Sequence, residues 1–201
     1  MLPDELTTAL KEWAVVQRSL LEGHQIILVR KGGLIEDTGE FDLRASQFLL
    51  YPTYAHETER AGDLQPCFGQ WLREEEARKT LPTEVRFEAA ADVTDVVRVQ
   101  DRATLNNLAP QHIWSPQFMD GRFDWEPYKP VWVLLLRAYT LAAPVVRPVQ
   151  PQYGGCRSWI ALDAPVSTEG AMPAVSEERY ARRRELTLSL LKEKDPIHAN
   201  R

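Results

Sequence analysis

Gly23-His24-Gln25-Ile26-Ile27-Leu28-Val29-Arg30-Lys31-Gly32-Gly33 is the stretch on which the reading of this chain turns. Ile26 to Val29 is an uncharged, largely β-branched run, the composition of a strand covered on both faces. Gly23, ahead of it, is placed to end a helix in the left-handed conformation. Behind it two cations stand beside two glycines, whose backbone takes φ > 0 and approaches a ligand closely. Arg30 and Lys31, with the bare amides of Gly32 and Gly33, make a seat for a phosphate or carboxylate. Read as an ordinary hairpin turn, the same residues are solvated charges. The segment suggests a binding surface and carries no catalytic signature.

Working outward, Leu6, Ala9, Leu10, Trp13, Val16 and Leu20 recur at helical spacing, so residues 4–22 read as an amphipathic helix. Residues 25–30 follow as a strand, and residues 47–54 as a second one closed by Pro52. Residues 70–79 read as a short surface helix. The Val-rich alternation over residues 83–100 predicts one or two strands. Residues 104–108 read as a helical turn, and the stretch to Lys129 as a long aromatic loop. Residues 131–141 form a strong strand stopped by Pro144 and Pro148, and residues 159–162 a last short one. Residues 165–174, with Ser167, Thr168, Gly170 and Pro173, read as a linker, after which Ser176 caps a helix to about residue 194.

Strands outnumber helices and are not joined by regular helical crossovers, which argues against a doubly wound parallel sheet. The expected architecture is α+β: a small mixed β-barrel with an N-terminal helix and an appended C-terminal helix. Residues 1–164 form the barrel-like domain, 165–175 the linker and 176–201 the helix. That helix packs on its own barrel or on a second copy, making a homodimer, through Leu186 and Leu190. Its triple arginine, Arg182-Arg183-Arg184, reads more readily as a solvated helix face than as a phosphate surface.

The chain has 201 residues, 44% hydrophobic and 26% charged, ordinary for a globular protein. No apolar run approaches the roughly 20 residues of a membrane helix, and the start lacks the pattern of a secretion signal. The expectation is a cytoplasmic protein without membrane contact. Cys67 and Cys156 have no Cys or His nearby at metal-ligand spacing, so neither a metal nor a cofactor is expected. The net charge of −5 argues against a uniformly basic nucleic-acid binder but permits a local basic patch.

Two clusters could carry chemistry. Tyr51-Pro52-Thr53-Tyr54-Ala55-His56-Glu57 gathers phenols, a hydroxyl, an imidazole and a carboxylate where a strand opens into a loop. His56 with Glu57 is the acid/base candidate; the bland alternative is half-buried tyrosines and a surface histidine. Tyr153-Gly154-Gly155-Cys156-Arg157-Ser158-Trp159 is a glycine-hinged cluster in which Cys156 is most simply a packing residue. Ser158 lies in no nucleophile elbow. Residues 74–76, all glutamate, read as a solvated helix face. Trp114, Phe123, Trp125 and Tyr128 seal a core more readily than they offer a stacking platform.

Several of these segments together look like the bacterial family catalogued as domain of unknown function 1802: residues 12–16, 20–25, 30–33, 48–53 and 153–159. The resemblance spans about residues 8–162 and implies no activity. More distantly, the run from Gly23 to Arg30 is similar to the Gly-x-Lys-Thr-x-x-x-Arg motif of ASCH domains. The resemblance implies a PUA-like barrel of a kind that generally binds RNA or modified nucleosides, some members hydrolysing an acylated cytidine. Gln25 and Ile26 stand where that motif has Lys and Thr. A glutamine carries no proton, so base or phosphate binding is the part that transfers.

The functional expectation is therefore binding of a nucleic acid or nucleotide, RNA favoured over DNA. Arg30, Lys31, Gly32 and Gly33 would hold phosphate. Tyr51, Thr53, Tyr54, Arg157, Ser158 and Trp159 would line the base. The alternative is a hydrolase or nuclease acting on nucleic acid with His56 and Glu57 as acid and base.

Overall fold

Leu6, Ala9, Leu10 and Trp13 sit at helical spacing, yet in the computed structural model residues 5–13 are a strand, β1 (Glu5–Trp13). The helix α1 (Ala14–Leu21) starts only after it. Leu6 and Ala9 reach the same apolar cluster although three residues apart. A regular strand forbids that, because its side chains alternate. The pairing of β1 with residues 161–166 shifts register between Leu6 and Thr8, the extra residues lying on the partner strand, so Leu6 and Ala9 stand on either side of an irregular stretch. The structure describes residues 2–31, 43–54, 59–155 and 157–192.

After α1 come β2 (Ile27–Arg30), β3 (Gln47–Thr53), α2 (Gly69–Arg78) and the long β4 (Glu84–Val99). Two short helices follow, α3 (Arg102–Asn107) and α4 (Pro116–Asp124), then β5 (Val131–Pro148), β6 (Trp159–Ser167), β7 (Met172–Pro173) and α5 (Glu177–Lys192). The fold is mixed α+β. The seven strands make one sheet in the order β2-β5-β4-β3-β1-β6, with β7 on β5; β1 and β3 run parallel and the other pairs antiparallel. The expected barrel is corrected to an open sheet: among the described residues the order does not close on itself.

The sheet nevertheless curls. β4 and β5 pair along nearly their whole length, with register shifts between Phe87 and Ala89 and between Val93 and Asp95, and such bulges bend a strand. Arg30 on β2 reaches Glu12 on β1, four strand positions away in the order. A flat sheet would put those strands roughly 19 Å apart at the usual spacing, beyond any side chain. Alternation along β3 separates two cores: Phe48 and Leu50 join a cluster with α1, α4 and α5, while Leu49 and Tyr51 join Phe87, Tyr153 and Ile160 on the other face.

Other boundaries also differ from the sequence reading. β3 runs through Pro52, which is tolerated because β3 bonds β4 only over Gln47–Leu49. The aromatic loop holds α4, whose Ser115 accepts a hydrogen bond from the Phe118 amide at 3.2 Å with Pro116 in the first turn. The expected linker contains the end of β6 and all of β7. α5 seats Tyr180 and Thr187 in the core; of the two leucines expected to pack, Leu190 lies partly buried against that core while Leu186 stays 48% exposed. Among the described residues no helix is long and apolar enough to cross a membrane.

Candidate anion-binding site

Arg30 and Lys31 are neighbours, and alternation sends them apart. Arg30 turns inward: Nη1 lies 3.2 Å from Glu12 Oε2 and Nη2 donates to the Lys11 carbonyl at 3.1 Å. Lys31, only 3% exposed, donates instead to the Phe123 carbonyl at the end of α4. Burial lowers its ammonium from the usual lysine value, while Asp124 and Glu126 oppose the shift. The single phosphate seat expected of this pair is therefore divided between two places.

The aromatic residues expected beside it are divided too. Tyr51 faces the other core, with its ring centre 5.8 Å from Phe87 and Lys11 Nζ 5.8 Å away. Burial pushes its phenol above the usual range. Trp159 is buried edge-on to Phe48 at 5.0 Å, and its indole Nε1 has no hydrogen-bond partner among the described residues. Ser158 gives its carbonyl to the Lys11 amide at 2.8 Å, and Arg157 is exposed. Thr53 stands beside Trp13 in the β1–β3 register. Gln25 holds structure rather than ligand: Nε2 donates to the Ile27 carbonyl at 2.8 Å and Oε1 accepts from the Ile113 amide at 3.2 Å. Gly32, Gly33, His56, Glu57 and Cys156 lie outside the described residues.

Around the Arg30 head group the fold gathers residues that have no local signal of kinship. Glu12 and Trp13 end β1, Arg60 and Asp63 begin and end a short helical turn, and Phe118 and Arg122 share one face of α4 as an i,i+4 pair. Asp63 is tied to α4 because its carbonyl accepts from the Ser115 amide at 2.7 Å. Arg60 pairs with Asp63 at 2.7 Å and stands 5.7 Å from the ring centres of both Trp13 and Phe118. Arg122 lies 4.9 Å over Phe118, whose ring stacks on Trp114 at 4.1 Å. Trp114 and Phe118 are buried, while Trp13 is half-buried, its ring edge-on to Trp114 at 5.2 Å.

Three guanidinium groups thus meet two carboxylates. Burial pulls Arg122 below its ordinary value; Glu12 and Asp63 oppose the shift, Arg30 and Arg60 add to it. Among the described residues Arg122 makes neither hydrogen bond nor ion pair, its one close partner being the Phe118 ring. Nε of Arg30 is also buried without a hydrogen-bond partner among the described residues. A desolvated, uncompensated cation is what an anionic ligand complements. The sequence reading missed Arg60 and Arg122; the Ser115-Pro116 helix start followed by Phe118 and Arg122 four apart was the available signal for the latter.

A cleft of about 900 Å³ lies elsewhere, between α1, α2 and the ends of β3 and β4, with Tyr54 on its wall. Its charges satisfy one another: Arg18 bonds Glu22 and Glu74, and Arg78 bonds Glu75 and Glu88. Burial raises the Glu75 carboxyl, with Arg78 and Arg18 holding it down. Among the described residues no three His, Cys, Asp or Glu side chains converge as metal ligands would.

No curated protein matches the chain. Among solved structures it is similar to the ASCH protein from Zymomonas mobilis, at 11% identity over 89% of this chain and 93% of that one, TM-score 0.41. A point mutant of that protein aligns at 12% identity over 92% of this chain and 99% of that one, TM-score 0.41. The family model described as "Domain of unknown function (DUF1802)" matches residues 9–186, and the chain belongs to that family.

Proposed function

We propose that this protein binds a single-stranded nucleic acid or nucleotide at the Arg30–Arg60–Arg122 cluster. The observation that carries the reading is Arg122: desolvated, stacked on Phe118 and without a carboxylate partner among the described residues. A phosphate placed there is bonded by Arg122 and by the exposed Arg60, while Arg30 is held in place by Glu12. Trp13, half-buried at the rim, offers a ring on which a base stacks, a contact that tolerates any base. The ligand is thus recognised by its phosphate and one unstacked base, and an intact duplex, whose bases are already stacked, is not favoured.

Fluorescence anisotropy of labelled single-stranded RNA and DNA, measured across salt concentrations, tests this. The affinity is expected to fall linearly on logarithmic axes, and Arg60→Ala to reduce that slope by about 1. Trp13→Leu is expected to weaken binding while leaving the slope unchanged. Absence of binding at low salt, or an affinity indifferent to both substitutions, overturns the reading.

A further inference from the structure

On the far side of α4 the ends of β2 and β4, the C-terminal end of α4 and the approach to β5 enclose a second cavity of about 210 Å³. It is smaller than the roughly 300–1,000 Å³ of sites for drug-sized molecules, so it suits a single compact group. Its walls include Lys31, Arg98, Lys129, Gln100 and Tyr128. Three of its ten lining residues are cations and none is a carboxylate.

The charges standing behind the wall decide what is left for a ligand. Glu126 bonds Lys129 at 2.9 Å, so that cation is compensated. Asp124 is within electrostatic reach of Lys31 but is bonded by Arg102, which also pairs with Asp120 at 2.6 Å. Lys31 itself reaches a carbonyl and the Phe123 ring, at 5.5 Å, and no carboxylate among the described residues. Arg98 makes no hydrogen bond or ion pair among the described residues. Two cations, one of them almost fully buried, are therefore left without a paired acid in the wall of one small cavity. Beside them the Tyr128 ring is 77% exposed, its hydroxyl anchored on Glu126 at 2.9 Å.

We propose that this cavity is a phosphate-binding pocket whose ligand is a phosphomonoester dianion, with Tyr128 as the wall against which an attached base or sugar lies. A monoester carries about −1.5 to −2 charges at pH 7, which matches two uncompensated cations better than the single charge of a phosphodiester. Lys31 and Arg98 hold the phosphoryl oxygens, and Gln100 is an uncharged donor on the same wall. The site is separate from the Arg30–Arg60–Arg122 cluster: Arg30 and Lys31, and likewise Arg122 and Phe123, each send one neighbour to either place.

The test is isothermal titration of the full chain with three probes: inorganic phosphate, adenosine 5′-monophosphate, and one oligonucleotide with and without a 5′-phosphate. Inorganic phosphate is expected to bind, and Arg98→Gln, an exposed position, to weaken it about tenfold with an unchanged melting temperature. Lys31→Met should weaken it further; because Lys31 is buried, Arg98→Gln remains the deciding variant if Lys31→Met does not fold. If the nucleotide binds more tightly than phosphate and Tyr128→Ala removes the difference, the ligand is a nucleotide end. Equal binding of the two identifies free phosphate or another monoester. No binding of phosphate or nucleotide at millimolar concentration, or binding untouched by Arg98→Gln, overturns the proposal. An oligonucleotide bound equally with and without its 5′-phosphate then leaves the arginine-cluster reading standing alone. Phosphate binding without oligonucleotide binding sinks that reading and keeps this pocket.

Discussion

At the scale of single residues, Gly23 and His112 carry consequences that can be measured. Gly23 ends α1 at φ +69°, its amide on the Leu20 carbonyl at 3.2 Å and the His24 amide on Ser19 at 2.8 Å, the paired closure of a helix C-terminus. A Cβ there would stand 2.4 Å from Val175 Cγ1. Gly23→Ala is therefore expected to cost about 1–3 kcal/mol in urea unfolding, from backbone strain and the clash together. His112 is buried, with Nδ1 accepting from the Trp114 amide at 3.2 Å and Nε2 without a partner among the described residues. Burial lowers it to about 4, so between that pH and about 6.5 the unfolded chain binds more protons than the folded one. Its contribution is complete above about pH 6.5 and is lost as the pH falls to about 4, at most roughly 3 kcal/mol. His112→Asn keeps an acceptor for the Trp114 amide and should flatten the stability change between pH 7 and 4.5. A variant as acid-sensitive as the parent would show that other groups cause it.

Among the elements, α5 departs furthest from its sequence reading. Its position after a Pro- and Gly-containing segment suggested an appendage, yet its arginines are used within the fold. Arg179 donates to the Gly23 carbonyl at 2.9 Å, Arg183 to the same carbonyl and to His24 at 2.7 Å, and Arg184 pairs with Asp95. The C-terminal end of α1 is thus capped by cations from α5, where its dipole favours them. Tyr180, buried, shares a 2.5 Å hydrogen bond with Thr94 of β4. Removing residues 175–201 is therefore expected to abolish the cooperative unfolding transition by circular dichroism, against the sequence expectation of an intact barrel. A milder probe lies on the same helix. Thr187 is fully buried and its hydroxyl has no hydrogen-bond partner among the described residues, so Thr187→Val should raise stability by about 1 kcal/mol. A loss of that size would reveal a hydrogen bond to that hydroxyl.

For the whole molecule, the Glu12–Arg30 pair ties β2 to β1 across the curl of the sheet and anchors the candidate site. Glu12 is only 8% exposed and its carboxylate also accepts from the Trp13 amide at 2.9 Å, so Arg30→Met removes its ion pair but not its last partner and is expected to cost about 1.5–3 kcal/mol. Adding Glu12→Gln should recover part of that loss, and the double-mutant cycle measures the coupling; additive costs would show that the pair does not hold the curl together. What the sequence determined by itself is local. Ile26 to Val29 read as a doubly covered strand because no residue in the run tolerates water on either face, and all four are buried. Gly23 read as a helix terminator because a left-handed residue without Cβ costs least there, and residues 70–79 read as a surface helix because an acidic then basic run leaves Trp71, Leu72 and Ala77 as its only apolar residues. Tertiary structure decided everything that depends on which face or partner a residue meets. Residues 5–13 became a strand because a neighbour on each side, β3 and β6, satisfied their backbone. Arg30 parted from Lys31 and joined Arg60 and Arg122 because alternation along a strand and the curl of a sheet fix directions in space, which spacing along the chain does not encode.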